Sequence, residues 1–201
     1  MASTMLHLLL AHKIKPNGCG LYFHGSFAPD QFDSKREDKR AAKNANHFRN
    51  APCMETALRE FYARIDKDNP FHEGYFVHLI CDMWWSKDVI NKYFYEKDTE
   101  WYKLMKTEYR VFGNWARQTL PWVDEVHEKI EASPNDFVLP TPDPSSGETI
   151  RYKNTMLRKW KNDKADTIQK PPSNILTHEL MDSYSDEIAT RYHVWIAGVN
   201  R

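Results

Sequence analysis

The chain has 201 residues, and its 28 basic and 28 acidic side chains cancel to a formal net charge of zero. Hydrophobic residues make up 41% and aromatics 13%, which suits a single domain over residues 1–201 with one real core. The balanced charge argues against a general nucleic-acid binder, and three cysteines (Cys19, Cys53, Cys81) without CxxC spacing argue against a disulfide framework or a Cys-type zinc site.

Ser3 or Thr4 can cap a helix beginning at Met5, with Leu6, Leu9 and Leu10 along one face. A histidine interrupts this apolar run and no basic residue precedes it, so a signal peptide fits poorly. No stretch approaches the roughly 18 apolar residues that span a bilayer, and a cytoplasmic location with no membrane anchor is expected. Pro16, Asn17 and Gly18 end the helix. Residues 18–34 read as irregular, and the charged run at 34–46 reads as a solvated turn or short helix. A helix is expected at 53–65 after Pro52, and another from Phe71 to about Phe94. Over residues 75–85 the second is apolar around nearly its whole circumference, the mark of a buried helix. Further helices are expected at 98–118 and 121–132. The Pro- and Ser-rich segment 133–148 reads as a long flexible loop or two-stranded excursion, and 149–163 as basic and weakly patterned. A last helix, capped by Ser173 or Thr177, should run to about Ile196. The fold class is all-α.

The chemistry sits in Gly74-Tyr-Phe-Val-His78-Leu-Ile-Cys-Asp82. His78 and Asp82 are four apart and so share one face of the buried helix. A lone buried carboxylate costs far more than the roughly 0.5–1.5 kcal/mol that a hydrogen bond returns. A His–Asp pair, a salt bridge to Arg or Lys, or a cation bound by both could compensate it. His7 in the first apolar run, Asp30 after Pro29, and His47 before Phe48 widen the set of candidates. Imidazole with carboxylate suits zinc, iron or manganese better than calcium.

Four segments, Ser3-Thr-Met-Leu-His7-Leu-Leu-Leu-Ala, Gly25-Ser-Phe-Ala-Pro-Asp30, His47-Phe-Arg and the Gly74–Asp82 stretch, occur in this order. In this the chain resembles the zinc-dependent phospholipase C-like proteins, small intracellular bacterial relatives of secreted phospholipases and single-strand nucleases, over roughly residues 3–120. The resemblance implies an all-helical fold around a metal cleft, with His7, Asp30, His47, His78 and Asp82 as ligands. Asp30 falls at the bridging, catalytic aspartate. Those secreted relatives cluster three zincs and use a water made acidic by metal as the nucleophile; because this sequence departs from their ligand set, one or two Zn2+ ions are expected here, with iron or manganese as alternatives. The secreted enzymes also use an N-terminal Trp, which this sequence does not have there, and a late His-x-x-x-Glu/Asp pair whose spacing His178 and Asp182 match. The expected function is a metal-dependent hydrolase of a small phosphate ester: a phospholipid head group, a nucleotide or another phosphodiester. A non-catalytic, metal-stabilised helical binding protein is the alternative, and a metal-free helical interaction domain a third possibility. Asp33 could orient a ligand histidine or be a plain loop carboxylate. Trp84, Trp85, Trp101, Trp115 and Trp122 could line an apolar pocket or belong to the core. The basic stretch Lys153–Lys164 could contact phosphates or be an exposed face.

Overall fold

A computed structural model describes residues 3–93, 99–163 and 175–199. Phe94, Asp98, Lys164 and Ser173, named in the expectations above, lie outside the described residues. Helix α1 (Thr4–Ile14) opens as the sequence implies: the Ser3 hydroxyl accepts from the Leu6 amide at 3.3 Å, satisfying one of the orphan donors of a helix start. Its residues Met5 to Ala11 are all buried, so it runs through the interior between α5 (Pro70–Trp85) and α10 (His178–Val199). The start of α5 is set by Asn69, whose side chain accepts from Phe71, with Pro70 in the first turn. Buried residues cover every face of α5 from Gly74 to Asp82, as its unbroken apolar circumference requires. The segment then continues as a π-helical turn (Ser86–Ile90) and a last turn α6 (Asn91–Tyr93).

The stretch expected to be irregular between residues 18 and 34 instead contains helix α2 (Gly20–Gly25) and a 3-10 turn (Ala28–Asp30). α2 packs against α5 so closely that both helices need glycine at the crossing. A Cβ on Gly74 would lie 1.9 Å from the Tyr22 carbonyl oxygen, and one on Gly25 2.2 Å from that of Phe71. Helix α3 (Lys39–Asn46) occupies the charged run, and α4 (Met54–Arg64) follows. Between them the chain makes a helix-ending turn. The Phe48 amide donates to Ala45 at 3.0 Å and the Arg49 amide to Asn44 at 2.9 Å, with Phe48 left-handed at φ 55°. Glycine usually takes that position; here Phe48 does, and its ring packs 5.3 Å from Phe61.

Helices α7 (Thr99–Thr119) and α8 (Trp122–Ala132) match expectation. The weakly patterned stretch after residue 148 is part of an eighteen-residue helix, α9 (Ser146–Asp163). It buries Thr149, Lys153, Leu157 and Trp160 along one face, so Lys153 is turned inward rather than lying on an exposed basic surface. The Pro-rich segment before α9 contains no strand and is tied down. Phe137 stacks on Phe71 at 4.3 Å, His72 Nε2 meets the Val138 carbonyl at 2.9 Å, and the Tyr75 hydroxyl lies 2.7 Å from Thr141 Oγ1. Among the described residues there is no strand, and no helix is long and apolar enough to cross a membrane. The class is all-α. Trp84 and Trp85 belong to the core, and Trp101, Trp115 and Trp122 pack against it from the side.

Candidate metal centre

Three packing decisions bring the expected residues together. α1 carries His7 inward, α5 carries His78, and the 3-10 turn after α2 carries Asp30; His7, Asp30 and His78 each offer an atom within 4.8 Å of the others. These three form a group that could hold a metal ion. His7 is 1% exposed and neither ring nitrogen has a hydrogen-bond partner among the described residues, while its ring stacks on His78 at 3.7 Å between centroids. A buried, unpartnered imidazole is costly unless something at the site uses its lone pair.

His47 joins from the end of α3. Its Nε2 lies 3.1 Å from Asp30 Oδ1 and 3.1 Å from His78 Nε2, and His78 Nε2 lies 3.7 Å from the same Asp30 oxygen. The far side of each ring is fixed by the backbone. His47 Nδ1–H donates to the Lys43 carbonyl at 2.8 Å and His78 Nδ1–H to that of Ser26 at 3.0 Å. A carbonyl only accepts, so these contacts put the hydrogen on Nδ1 and turn each Nε2 lone pair toward the centre. Two lone pairs and a carboxylate oxygen then face one another and need a proton or a cation between them. Burial pushes the His47 imidazolium pKa down, against the pull of Asp30, and burial with the neighbouring His78 pushes that of His7 well down. The neutral forms, which bind metal, are therefore favoured. The three separations place a point about 1.9 Å from all three atoms, close to the roughly 2.0–2.2 Å of a first-row metal–nitrogen or metal–oxygen bond.

Asp82 takes a different partner. It shares the inward face with His78, but its Oδ2 accepts from Arg49 Nη2 at 2.5 Å, the salt bridge that the sequence left open as one compensation. Burial raises the Asp82 carboxyl, and nearby positive charge, that of Arg49 included, outweighs it, holding it below the ordinary carboxylate range. Asp30 behaves alike: burial raises it, while contacts with His47 and His78 and the charge of Lys43 bring it well down. Lys43 Nζ pairs directly with Asp30 Oδ1. Asp30 keeps 23% of its side-chain surface and forms the floor of a cleft of about 790 Å³, beside Lys43 and Arg49. Asp30 thus borders the cleft, while its Oδ1, the oxygen shared with the histidines and Lys43, is buried.

Other candidates lie elsewhere. His178 stacks on Trp115 at 3.5 Å, and Asp182 lies 3.8 Å from Lys13, so this pair is not part of the cluster. Asp33 accepts from the Lys35 amide and sits 3.9 Å from Arg151, as a loop carboxylate. Three contributors escaped the sequence: Lys43 and Arg49, which neutralise the two carboxylates, and Asn46, which donates to the Pro29 carbonyl and accepts from Tyr75. The available signal was that Lys43 and Asn46 fall four and one residues before His47, inside the run taken as solvated. Comparison of the chain with family models, with curated proteins and with solved structures finds no match in any of the three.

Proposed function

We propose that this protein is a metal-dependent hydrolase of phosphate esters, with His7, Asp30, His47 and His78 as donors to one or two divalent ions, zinc first among them. The observation that supports this most is the triangle of Asp30 Oδ1, His47 Nε2 and His78 Nε2, whose Asp30 corner belongs to a residue lining a basic cleft. Two nitrogens and a carboxylate suit zinc, and iron or manganese next. The motif order shared with the zinc-dependent phospholipase C-like proteins points the same way. A bound divalent ion would supply Lewis acidity and a water of lowered pKa.

Charge supports the substrate class. Lys43 and Arg49 each pair with one of the two carboxylates, Asp30 and Asp82. Adding a divalent ion would bring two further positive charges, a match for phosphate. An ion on Asp30 would take over the charge that Lys43 balances there, which would let Lys43 turn to a phosphate oxygen in the cleft. His47 and His78 stay aimed because their Nδ1 atoms remain held by backbone carbonyls. Asp30, held ionised at neutral pH and lining the cleft, would be the carboxylate available to accept a proton from a water at the centre.

The non-catalytic alternative draws on Arg49, which takes Asp82 out of the donor set and leaves fewer ligands for a catalytic centre. The test is turnover of generic phosphodiester and phosphomonoester substrates with added zinc, manganese or iron, using His78→Ala as the control. The proposal expects activity that needs added metal and falls by more than about a hundredfold in the variant. Equal rates in both proteins would reject it.

A further inference from the structure

Lys39 and Arg40 line the same cleft as Asp30, one helical turn from Lys43 on α3. Residues four and three apart on a helix are neighbours on one face, so the three form a ladder that leads outward from the centre. Lys43 is committed to Asp30. The side chains of Lys39 and Arg40 make no ion pair or hydrogen bond among the described residues. The one acid in the lining besides Asp30 is Glu37, and Tyr102 of α7, 43% exposed, reaches the cleft with an aromatic face. A cationic head group such as a quaternary ammonium would need acids or an aromatic cage at this mouth, and it would meet Lys39 and Arg40 instead.

We propose that the cleft takes a phosphate ester carrying a second phosphate, with Lys39 and Arg40 as the subsite for that second group. This rests on the hydrolase reading for the first phosphate only. The second phosphate would sit about one helical turn, ~5 Å, from the first, against two cations with no other partner among the described residues. Tyr102 can stack on a ring between the two. Both a nucleotide with two separate phosphates and a phosphorylated inositol head group have this chemistry.

The experiment is calorimetric binding to the full chain, with and without zinc, using two matched pairs. These are adenosine 3′,5′-bisphosphate against adenosine 5′-monophosphate, and glycerophosphoinositol 4-phosphate against glycerophosphoinositol. The bisphosphorylated member of at least one pair should bind at least about tenfold tighter, an advantage that shrinks as salt is added. Lys39→Ala/Arg40→Ala should erase that advantage and leave the other member within about twofold, while Arg158→Ala/Lys161→Ala on α9 changes neither. Both substitutions in the test variant lie at the solvent side of α3, so a change in its circular dichroism is not expected. Equal affinity within both pairs, no binding of any probe, or a preference that survives the double substitution would each overturn the subsite. A preference without turnover keeps the subsite and removes the hydrolase reading; turnover without a preference does the reverse. The pair that shows the preference distinguishes nucleotide from head group.

Discussion

Replacing Gly74 by alanine tests whether the crossing of α2 and α5 builds the centre. The new Cβ would lie 1.9 Å from the Tyr22 carbonyl oxygen, 2.9 Å from its carbon and 3.0 Å from the Ser26 amide nitrogen. Ordinary carbon–oxygen contact is about 3.3 Å, so the backbones must part by more than about 1 Å, with no flexible side chain to absorb the change. Overpacking usually costs about 1–3 kcal/mol, and a backbone-on-backbone clash belongs at the upper end, near 3 kcal/mol. The same displacement draws Ser26 away from His78, whose Nδ1–H donates to that carbonyl at 3.0 Å, and loss of such an outer contact typically weakens metal binding about 10–100-fold. Urea denaturation followed by circular dichroism gives the first quantity, and zinc titration at a temperature where the variant is folded gives the second. Gly113→Ala is the control: its Cβ would meet nothing nearer than Met5 Cβ at 3.6 Å, and alanine inside a helix should stabilise by about 0.5–1 kcal/mol. A Gly74→Ala protein within about 0.5 kcal/mol of the parent would refute the packing argument. Lost stability with unchanged zinc affinity would refute its link to the site.

His24 is buried among Phe27, Phe71 and Phe137, and burial, aided by the charge of Lys153, lowers its pKa to about 3. The folded value lies below the unfolded one of about 6.5, so its stabilising effect is full above pH 6.5 and lost as pH falls toward 3. The stability difference between parent and His24→Phe should therefore change by about 1.4 kcal/mol per pH unit between pH 6 and 4, always against the parent as pH drops; parallel urea midpoints across that range would contradict it. Asn46→Ala removes the bridge from Tyr75 to the Pro29 carbonyl beside Asp30; it should cost about 1–3 kcal/mol and weaken zinc binding, and calorimetry showing parent affinity would count against the bridge. Arg49→Met removes the guanidinium that pairs with the Asp82 carboxylate, 5% exposed; metal-free stability should fall by about 1–3 kcal/mol, and zinc should restore part of the loss. A variant as stable as the parent without metal would show that the pair contributes nothing.

Helices with a cap and a clean apolar pattern could be read from the sequence. α1 announces itself through Ser3 and its leucines, and α5 through Asn69-Pro70 and the apolar circumference after it. α9 was hidden because one member of its inward face, Lys153, is a residue that sequence patterning assigns to solvent. α2 was hidden because six residues bounded by glycines look like a turn, and their helical state is fixed by contact with α5 and α8 rather than by local preference. At the site, the demand of Asp82 for compensation followed from its place on an apolar helix. Its partner did not follow, because Arg49 reaches it through a left-handed turn at Phe48, where glycine would have been the usual signal. The meeting of His7 with His78 depends on how α1 crosses α5, which periodicity along either helix does not contain.

The most direct measurement is a crystal soaked in zinc and recorded on both sides of the zinc absorption edge. An anomalous peak about 2.0–2.2 Å from Asp30 Oδ1, His47 Nε2 and His78 Nε2 is the expected result. Density showing these three groups joined only by hydrogen bonds, with zinc bound elsewhere or nowhere, would contradict the account.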